Sequence, residues 1–227
     1  MRLFVILVLF TACALPRGPV ANLKREQRAA NILAKSDIVA KTALPVVPLN
    51  ITPEVRREIA RFTNSNRKSI ERALENPYNE LMKEVFRDEG IPEELINVAL
   101  LESQFNPNAR SPMGAKGIWQ FMPSTGRLYG LKVGGGKDER TDPILSTIAA
   151  AKHLKDLYAK FGDWHLALAG YNAGPYRVSK AMKNTNATGF WELSRKGAIP
   201  KETSMFVPKF IASTIILQHP KRFGFDG

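Results

Sequence analysis

Between Thr52 and Leu217 the sequence repeats one pattern: a capping side chain, a proline or acid in the first turn, then apolar residues at helical spacing. Thr52-Pro53-Glu54 leads into Val55, Ile59 and Phe62, which share a helix face. Asn76-Pro77 precedes Tyr78, Leu81, Met82, Val85 and Phe86 at the i, i+3, i+4, i+7, i+8 positions of an amphipathic helix. Gly90-Ile91-Pro92 ends that helix and opens the next, which runs to about Gln104. Asp142-Pro143 caps a long helix carrying Leu145, Ile148, Leu154 and Leu157, and Asp163 starts one that stops at Gly174-Pro175. A last helical stretch spans Pro200 to Leu217, with a kink expected at Pro208. Strand alternation is scarce and no internal repeat is present. The expected fold class is mainly α, with little or no β structure.

Composition narrows the function classes. At 227 residues, 44% hydrophobic and 24% charged, the chain suits one compact domain plus a tail and excludes wholesale disorder. The net charge of +12 favours contact with a polyanion or an anionic surface. The basic residues are spread along the chain and form no recognisable nucleic-acid-binding module, so no nucleic-acid partner is expected. A single cysteine excludes an internal disulfide and a cysteine-rich metal site. His153, His165 and His219 form no zinc-binding pair, so neither a metal nor a cofactor is expected. Gly134-Gly135-Gly136-Lys137 lacks the spacing of a phosphate loop, and no G-x-S-x-G elbow for a serine hydrolase occurs.

The N-terminus reads as a targeting segment. Arg2 precedes the apolar run Leu3–Phe10, which is far short of the roughly 20 residues needed to span a bilayer. Phe10-Thr11-Ala12-Cys13 resembles a bacterial lipobox, in which the cysteine is acylated after cleavage. The alternative is an ordinary export signal cut elsewhere. Residues 1–12 are thus the expected signal peptide, and 13–50 a lipidated Cys13 followed by a flexible tether. Pro16, Pro19, Pro45 and Pro48 punctuate that tether, and a short helix is expected around Lys24–Lys35. Ala14 after the cysteine resembles an outer-membrane sorting signal, which implies an exported protein facing the periplasm. Residues 51–227 are the expected folded domain.

Chemistry concentrates between Gly90 and Gln120. On the helix beginning at Pro92, Glu102 shares the apolar face with Leu95, Val98 and Ala99. Desolvation there would raise its pKa, and a carboxyl protonated near neutral pH can serve as a general acid. The pattern alone leaves open a helix-end glutamate turned to solvent or satisfied by Arg110.

Three motifs carry a family resemblance. Glu102-Ser103, Gly117-Ile118-Trp119-Gln120 and Gly170-Tyr171-Asn172-Ala173-Gly174, with Phe105-Asn106-Pro107 and Pro123-Ser124-Thr125-Gly126 between them, resemble the family 1 lytic transglycosylases. The resemblance runs from about Arg67 to Leu217, and the segments Tyr78–Glu94 and Pro200-Lys201-Glu202-Thr203 resemble the membrane-bound type D subgroup. It implies a lysozyme-like fold and cleavage of peptidoglycan strands, the expected partner besides a membrane reached through Cys13. Gly170 stands where the family more often has Ala, and Ile118-Trp119 where it has Leu-Met. Both departures bear on the fine fit of substrate.

The resemblance makes Glu102 the single catalytic acid/base. It assigns Ser103 to fixing the helix end and Ser111 to the N-acetyl region of the sugar. Gln120 and Met122 would line the cleft, Tyr171 would hydrogen-bond the catalytic carboxyl, and Asn172 would bind beside it. The implied reaction cleaves the β-1,4 bond between N-acetylmuramic acid and N-acetylglucosamine and leaves 1,6-anhydro ends. One carboxyl suffices for it, whereas a hydrolase usually needs two. No acidic residue lies between Glu102 and Asp138. Two alternatives remain: a hydrolytic muramidase on the same fold, with Asp138, Glu139 or Asp142 as second carboxylate, and a non-catalytic glycan-binding lipoprotein.

Overall fold

The computed structural model describes residues 44–226. The expected signal peptide, Cys13 and the tether up to residue 43, including the helix around Lys24–Lys35, lie outside the described residues.

Thr52, Asp142 and Asp163 cap helices as the sequence marks them, whereas the helix expected from Asn76-Pro77 begins at Asn79 without a side-chain cap. Helix α1 (Pro53–Asn64) starts at Thr52, whose hydroxyl accepts from the Val55 amide at 3.4 Å. Helices α2 (Arg67–Leu74) and α3 (Asn79–Glu89) follow, the latter ending at Gly90 in the left-handed conformation with φ 71°. The helix expected from Pro92 begins as a 3₁₀ segment, Glu93–Asn97, and continues as α4 (Val98–Ser103). Helix α5 (Pro123–Leu128) leads to a two-stranded antiparallel ribbon, β1 (Val133–Gly134) and β2 (Lys137–Asp138), in which Val133 pairs with Asp138. Helix α6 (Pro143–Phe161) is capped by Asp142, whose Oδ1 accepts from the Ile144 and Leu145 amides at 2.9 and 3.0 Å. Asp163 caps α7 (Trp164–Ala173) in the same way. Four helices were not anticipated: α2, α5, α8 (Pro175–Thr185) and α9 (Phe190–Arg195). Gly174-Pro175 reads as a stop, but a proline also suits the first position of a new helix, and here it does both. Helix α10 (Lys201–Gln218) closes the fold and contains Pro208.

Helix α7 is the hub. Every residue from Trp164 to Gly170 is buried, as expected of a helix enclosed on all sides. It packs against α6, α8 and α10, while α1 lies along α10 and α3 along α6. Fully buried Trp119, Trp164, Phe86, Phe190 and Phe210 fill the space between them. Among the described residues no helix is long and apolar enough to cross a membrane.

Residues 44–50, expected as the end of a flexible tether, are instead packed on the domain. Val47 is 3% exposed, and its amide donates to Glu94 Oε1 at 3.1 Å. Trp164 Nε1 donates to the Pro45 carbonyl at 2.6 Å, and His165 Nε2 lies 2.8 Å from the Pro48 carbonyl. The prolines that suggested a linker hold this strap extended, so its carbonyls meet donors on α7.

Candidate active site

Glu102 sits in the last turn of α4, where the chain reverses sharply. Gln104 and Phe105 adopt φ 54° and 58°, a strained pair for non-glycine residues, costing on the order of 1–3 kcal/mol each. The reversal is held by Phe105, which is buried, and by Ser103 Oγ, which donates to the Ile118 carbonyl at 2.7 Å. Ser103 therefore ties the helix end to the loop carrying the second motif.

The Glu102 side chain has no hydrogen-bond or ion-pair partner among the described residues, and Arg110 is exposed and unpaired with it. Glu102 keeps partial exposure, yet burial pushes its carboxyl up to about 8, with the nearby Glu202 carboxylate raising it further. The group is therefore protonated at neutral pH and has a proton to give.

The sequence reading gave Glu202 no role beyond its place in the Pro200-Lys201-Glu202-Thr203 segment. It lies in the first turn of α10, and its Oε1 accepts from Asn172 Nδ2 at 3.3 Å. Thr203 Oγ1 donates to Asn172 Oδ1 at 2.7 Å, so α10 fixes both ends of the Asn172 amide. Glu102, Glu202, Tyr171 and Asn172 thus converge from three helices.

Tyr171 departs from its expected role. Its hydroxyl donates to the Trp119 carbonyl at 2.8 Å. With the single hydroxyl proton so used, only its lone pairs remain for Glu102. Burial first and the Glu102 charge second hold the phenol well above its ordinary range. In place of the expected bond to the Glu102 carboxyl there is an electrostatic coupling.

The second motif is a scaffold as much as a surface. Trp119 is fully buried, stacks on Phe86 with centroids 5.6 Å apart, and donates from Nε1 to Thr147 Oγ1 at 2.9 Å. Gln120 follows at φ 49°, with its Nε2 donating to the Gly117 carbonyl at 2.8 Å. Arg140 clamps this loop: Nη1 donates to the Gly114 and Phe121 carbonyls at 2.7 and 2.9 Å. Its other nitrogens grip Asp138 at 2.8 Å on both carboxylate oxygens, and Lys116 Nζ adds a contact at 2.9 Å. These cations hold the Asp138 carboxyl well below the usual carboxylate range. A Cβ on Gly117 would lie 1.8 Å from the Arg140 carbonyl oxygen, so only glycine fits there.

The other expected residues are more peripheral. Ser111 Oγ accepts from the Ala115 amide at 3.1 Å and belongs to the same loop. Met122 is 40% exposed just before α5. No hydrogen bond joins either side chain to Glu102 among the described residues. Gly170 and Ile118-Trp119, read as bearing on substrate fit, face the core instead. A Cβ on Gly170 would meet the Phe161 ring at 2.9 Å, and Ile118 and Trp119 are fully buried.

The sequence model of the transglycosylase SLT domain matches residues 81–194, just over half of the 227. The chain belongs to the transglycosylase SLT domain family. The chain is similar to membrane-bound lytic murein transglycosylase D of Escherichia coli (strain K12), 42% identical over 153 residues, covering 65% of this chain and 33% of the relative. It is 33% identical over 142 residues to membrane-bound lytic murein transglycosylase F of Shewanella sediminis, covering 58% of this chain and 28% of that one. The chain thus spans about a third of the length of the curated relatives it matches. The fold is similar to that of the 70-kDa soluble lytic transglycosylase from Escherichia coli, with TM-score 0.55 at 20% identity, over 89% of this chain and 44% of that one. An inactive variant of the lytic transglycosylase Slt from Pseudomonas aeruginosa gives TM-score 0.54 at 24% identity, over 64% of this chain and 24% of that one. The SLT domain here is therefore mainly α and lysozyme-like, with its one ribbon confined to residues 133–138.

Proposed function

We propose that this SLT domain is a peptidoglycan lytic transglycosylase in which Glu102 is both acid and base. The observation that carries the reading is the unpartnered Glu102 carboxyl, pushed up to about 8 by burial at the meeting point of the three motifs. Protonated Glu102 gives its proton to the oxygen between N-acetylmuramic acid and N-acetylglucosamine, and the C1–O bond breaks. The substrate's N-acetyl carbonyl stabilises the charge at C1. The Glu102 carboxylate then takes the proton of the muramoyl C6 hydroxyl, whose oxygen bonds to C1. The product is a 1,6-anhydro end, no water is consumed, and Glu102 regains its proton. The intramolecular nucleophile gains a large proximity advantage where water is excluded.

Within this reading Ser103 fixes the end of α4, Ser111, Gln120 and Met122 belong to the glycan-binding loop, and Asn172 binds beside Tyr171. Supporting it, the three carboxylates first considered for hydrolysis have structural work. Asp138 is bound by Arg140 and Lys116, Glu139 Oε2 accepts from the Lys132 amide at 2.8 Å, and Asp142 caps α6. One observation favours a muramidase instead: Glu202 is a second carboxylate acting on Glu102. Digestion of sacculi followed by borohydride reduction and mass analysis decides. New ends one water lighter and resistant to reduction are expected; reducible ends would establish hydrolysis.

The relatives named membrane-bound support a periplasmic, membrane-associated place for the protein. The finer proposal is an outer-membrane lipoprotein anchored through Cys13. Cys13→Ser should move it from the membrane to the soluble fraction, and membrane retention in high salt would refute the anchor.

A further inference from the structure

Beyond the motifs, α6 carries His153, a side chain for which the proposed reaction has no use. Its ring stacks on Tyr129 with centroids 4.8 Å apart and lies 5.0 Å from Tyr171, with Phe121 at 6.1 Å. Its Nδ1 is buried without a hydrogen-bond partner among the described residues. An orphaned polar atom in an aromatic cluster is costly, and a packed phenyl ring would avoid that cost. The position therefore holds an imidazole at some expense to stability, directly against the tyrosine coupled to Glu102.

The same helix reaches this site twice. Thr147 accepts from the Trp119 indole, and His153 packs on Tyr171, while Trp119 and Tyr171 are joined through carbonyl and hydroxyl at 2.8 Å. Six residues apart on α6, Thr147 and His153 brace the two halves of one hydrogen bond. We infer that His153 is a positioning residue for the acid/base site, holding the Tyr171 ring so that its hydroxyl engages Trp119 and its oxygen is offered to protonated Glu102. This rests on the acid/base reading of Glu102.

The brace is set by charge as well as shape. Burial holds the imidazole down to about 4, opposed by Asp156 one turn along the same helix. Asp156 also accepts from the Tyr129 hydroxyl at 3.2 Å. The titratable groups meeting His153 from neighbouring elements are thus the phenols of Tyr129 and Tyr171, and Glu102 in turn acts on Tyr171. The ring is neutral throughout the working range. Acidification to about 4 charges it and perturbs the cluster.

The test uses the full-length protein with soluble glycan strands and two variants. His153→Phe keeps a neutral ring and should retain kcat within about threefold at pH 7 while losing the fall in rate near pH 4. His153→Ala should lower kcat about tenfold with KM within about twofold, because the Tyr171 ring loses its support. Independently of turnover, the imidazole followed by NMR should titrate with a midpoint of about 4, and the Tyr171 ring resonances should move with it. Wild-type kcat in the alanine variant, an unchanged acid limb in the phenylalanine variant, or Tyr171 resonances indifferent to that titration would each overturn the proposal. If the alanine variant does not fold, the phenylalanine profile and the titration still decide. Failure of the underlying reading shows elsewhere, as turnover by Glu102→Gln with the His153–Tyr171 coupling intact.

Discussion

Tyr171 and Trp119 are 52 positions apart in the chain and joined by one hydrogen bond, hydroxyl to carbonyl, at 2.8 Å. This bond turns the second and third motifs into one unit and leaves the phenol oxygen able to accept from the protonated acid but not to donate to it. A tyrosine so arranged is matched to Glu102 with its proton on.

Tyr171→Phe should therefore do two things at once. It strands the Trp119 carbonyl, which should destabilise the fold by about 1–2 kcal/mol. It also frees the loop carrying Gln120, which should lower kcat about tenfold or more. Thermal unfolding and turnover of the same preparation check both. A lost rate with unchanged stability would place the hydroxyl on Glu102 instead of Trp119.

Glu102→Gln should abolish cleavage, since an amide cannot cycle a proton, and should also stabilise the domain at neutral pH. The folded carboxyl titrates at about 8 and the unfolded one near its ordinary value of 4.5, so the folded state binds more protons between them. Stability conferred by wild-type Glu102 is then full below 4.5 and falls as pH rises toward 8. The glutamine variant escapes that loss, worth about 2 kcal/mol once cleft water relaxes around the charge. Melting curves of both proteins should diverge from pH 5 to pH 8 and converge at pH 4. Parallel curves would mean that the carboxyl is not desolvated.

The loop clamp makes a sharper structural prediction. Gly117→Ala places a methyl on the Arg140 carbonyl at a residue with φ 82°, so the backbones must separate. Arg140→Met removes a buried guanidinium from Asp138 and from two carbonyls. Each should cost about 3 kcal/mol or more, measurable by chemical denaturation. The Asp138 carboxyl is depressed by these cations, so their contribution is present above the unfolded aspartate pKa and lost as pH falls through the folded one. A Gly117→Ala protein with wild-type stability would refute the close approach.

What the sequence made legible follows from how local each signal is. Helix caps at Thr52, Asp142 and Asp163 are read from a few neighbouring residues, and Glu102 stands out because a carboxylate interrupts an apolar face. Glu202 does not stand out. It is a hundred positions away, and an acid in the first turn of a helix is what the helix dipole favours anyway. Arg140 resembles any surface cation until its carbonyl partners are known. Residues 44–50 look like a linker because their donors, Trp164 and His165, come from the far end of the chain. Gly170 suggested a change in the cleft, but what it accommodates is Phe161 on the neighbouring helix.

Glu202 offers the test that separates the two chemistries. Its carboxylate adds to the rise of the Glu102 pKa, although burial is the larger cause. Glu202→Gln removes that negative charge, so Glu102 should ionise at lower pH. The alkaline limb of the kcat/KM profile, set by loss of the Glu102 proton, should move down by about half a unit to one unit. Maximal turnover should fall only modestly, since the glutamine amide oxygen still accepts from Asn172. Anhydro ends should remain the product. A muramidase with Glu202 activating water would behave differently, losing about 10²–10⁴ in rate with its base. Collapse of turnover together with reducible ends from the wild-type protein would make Glu202 the second catalytic carboxylate and end the transglycosylase reading.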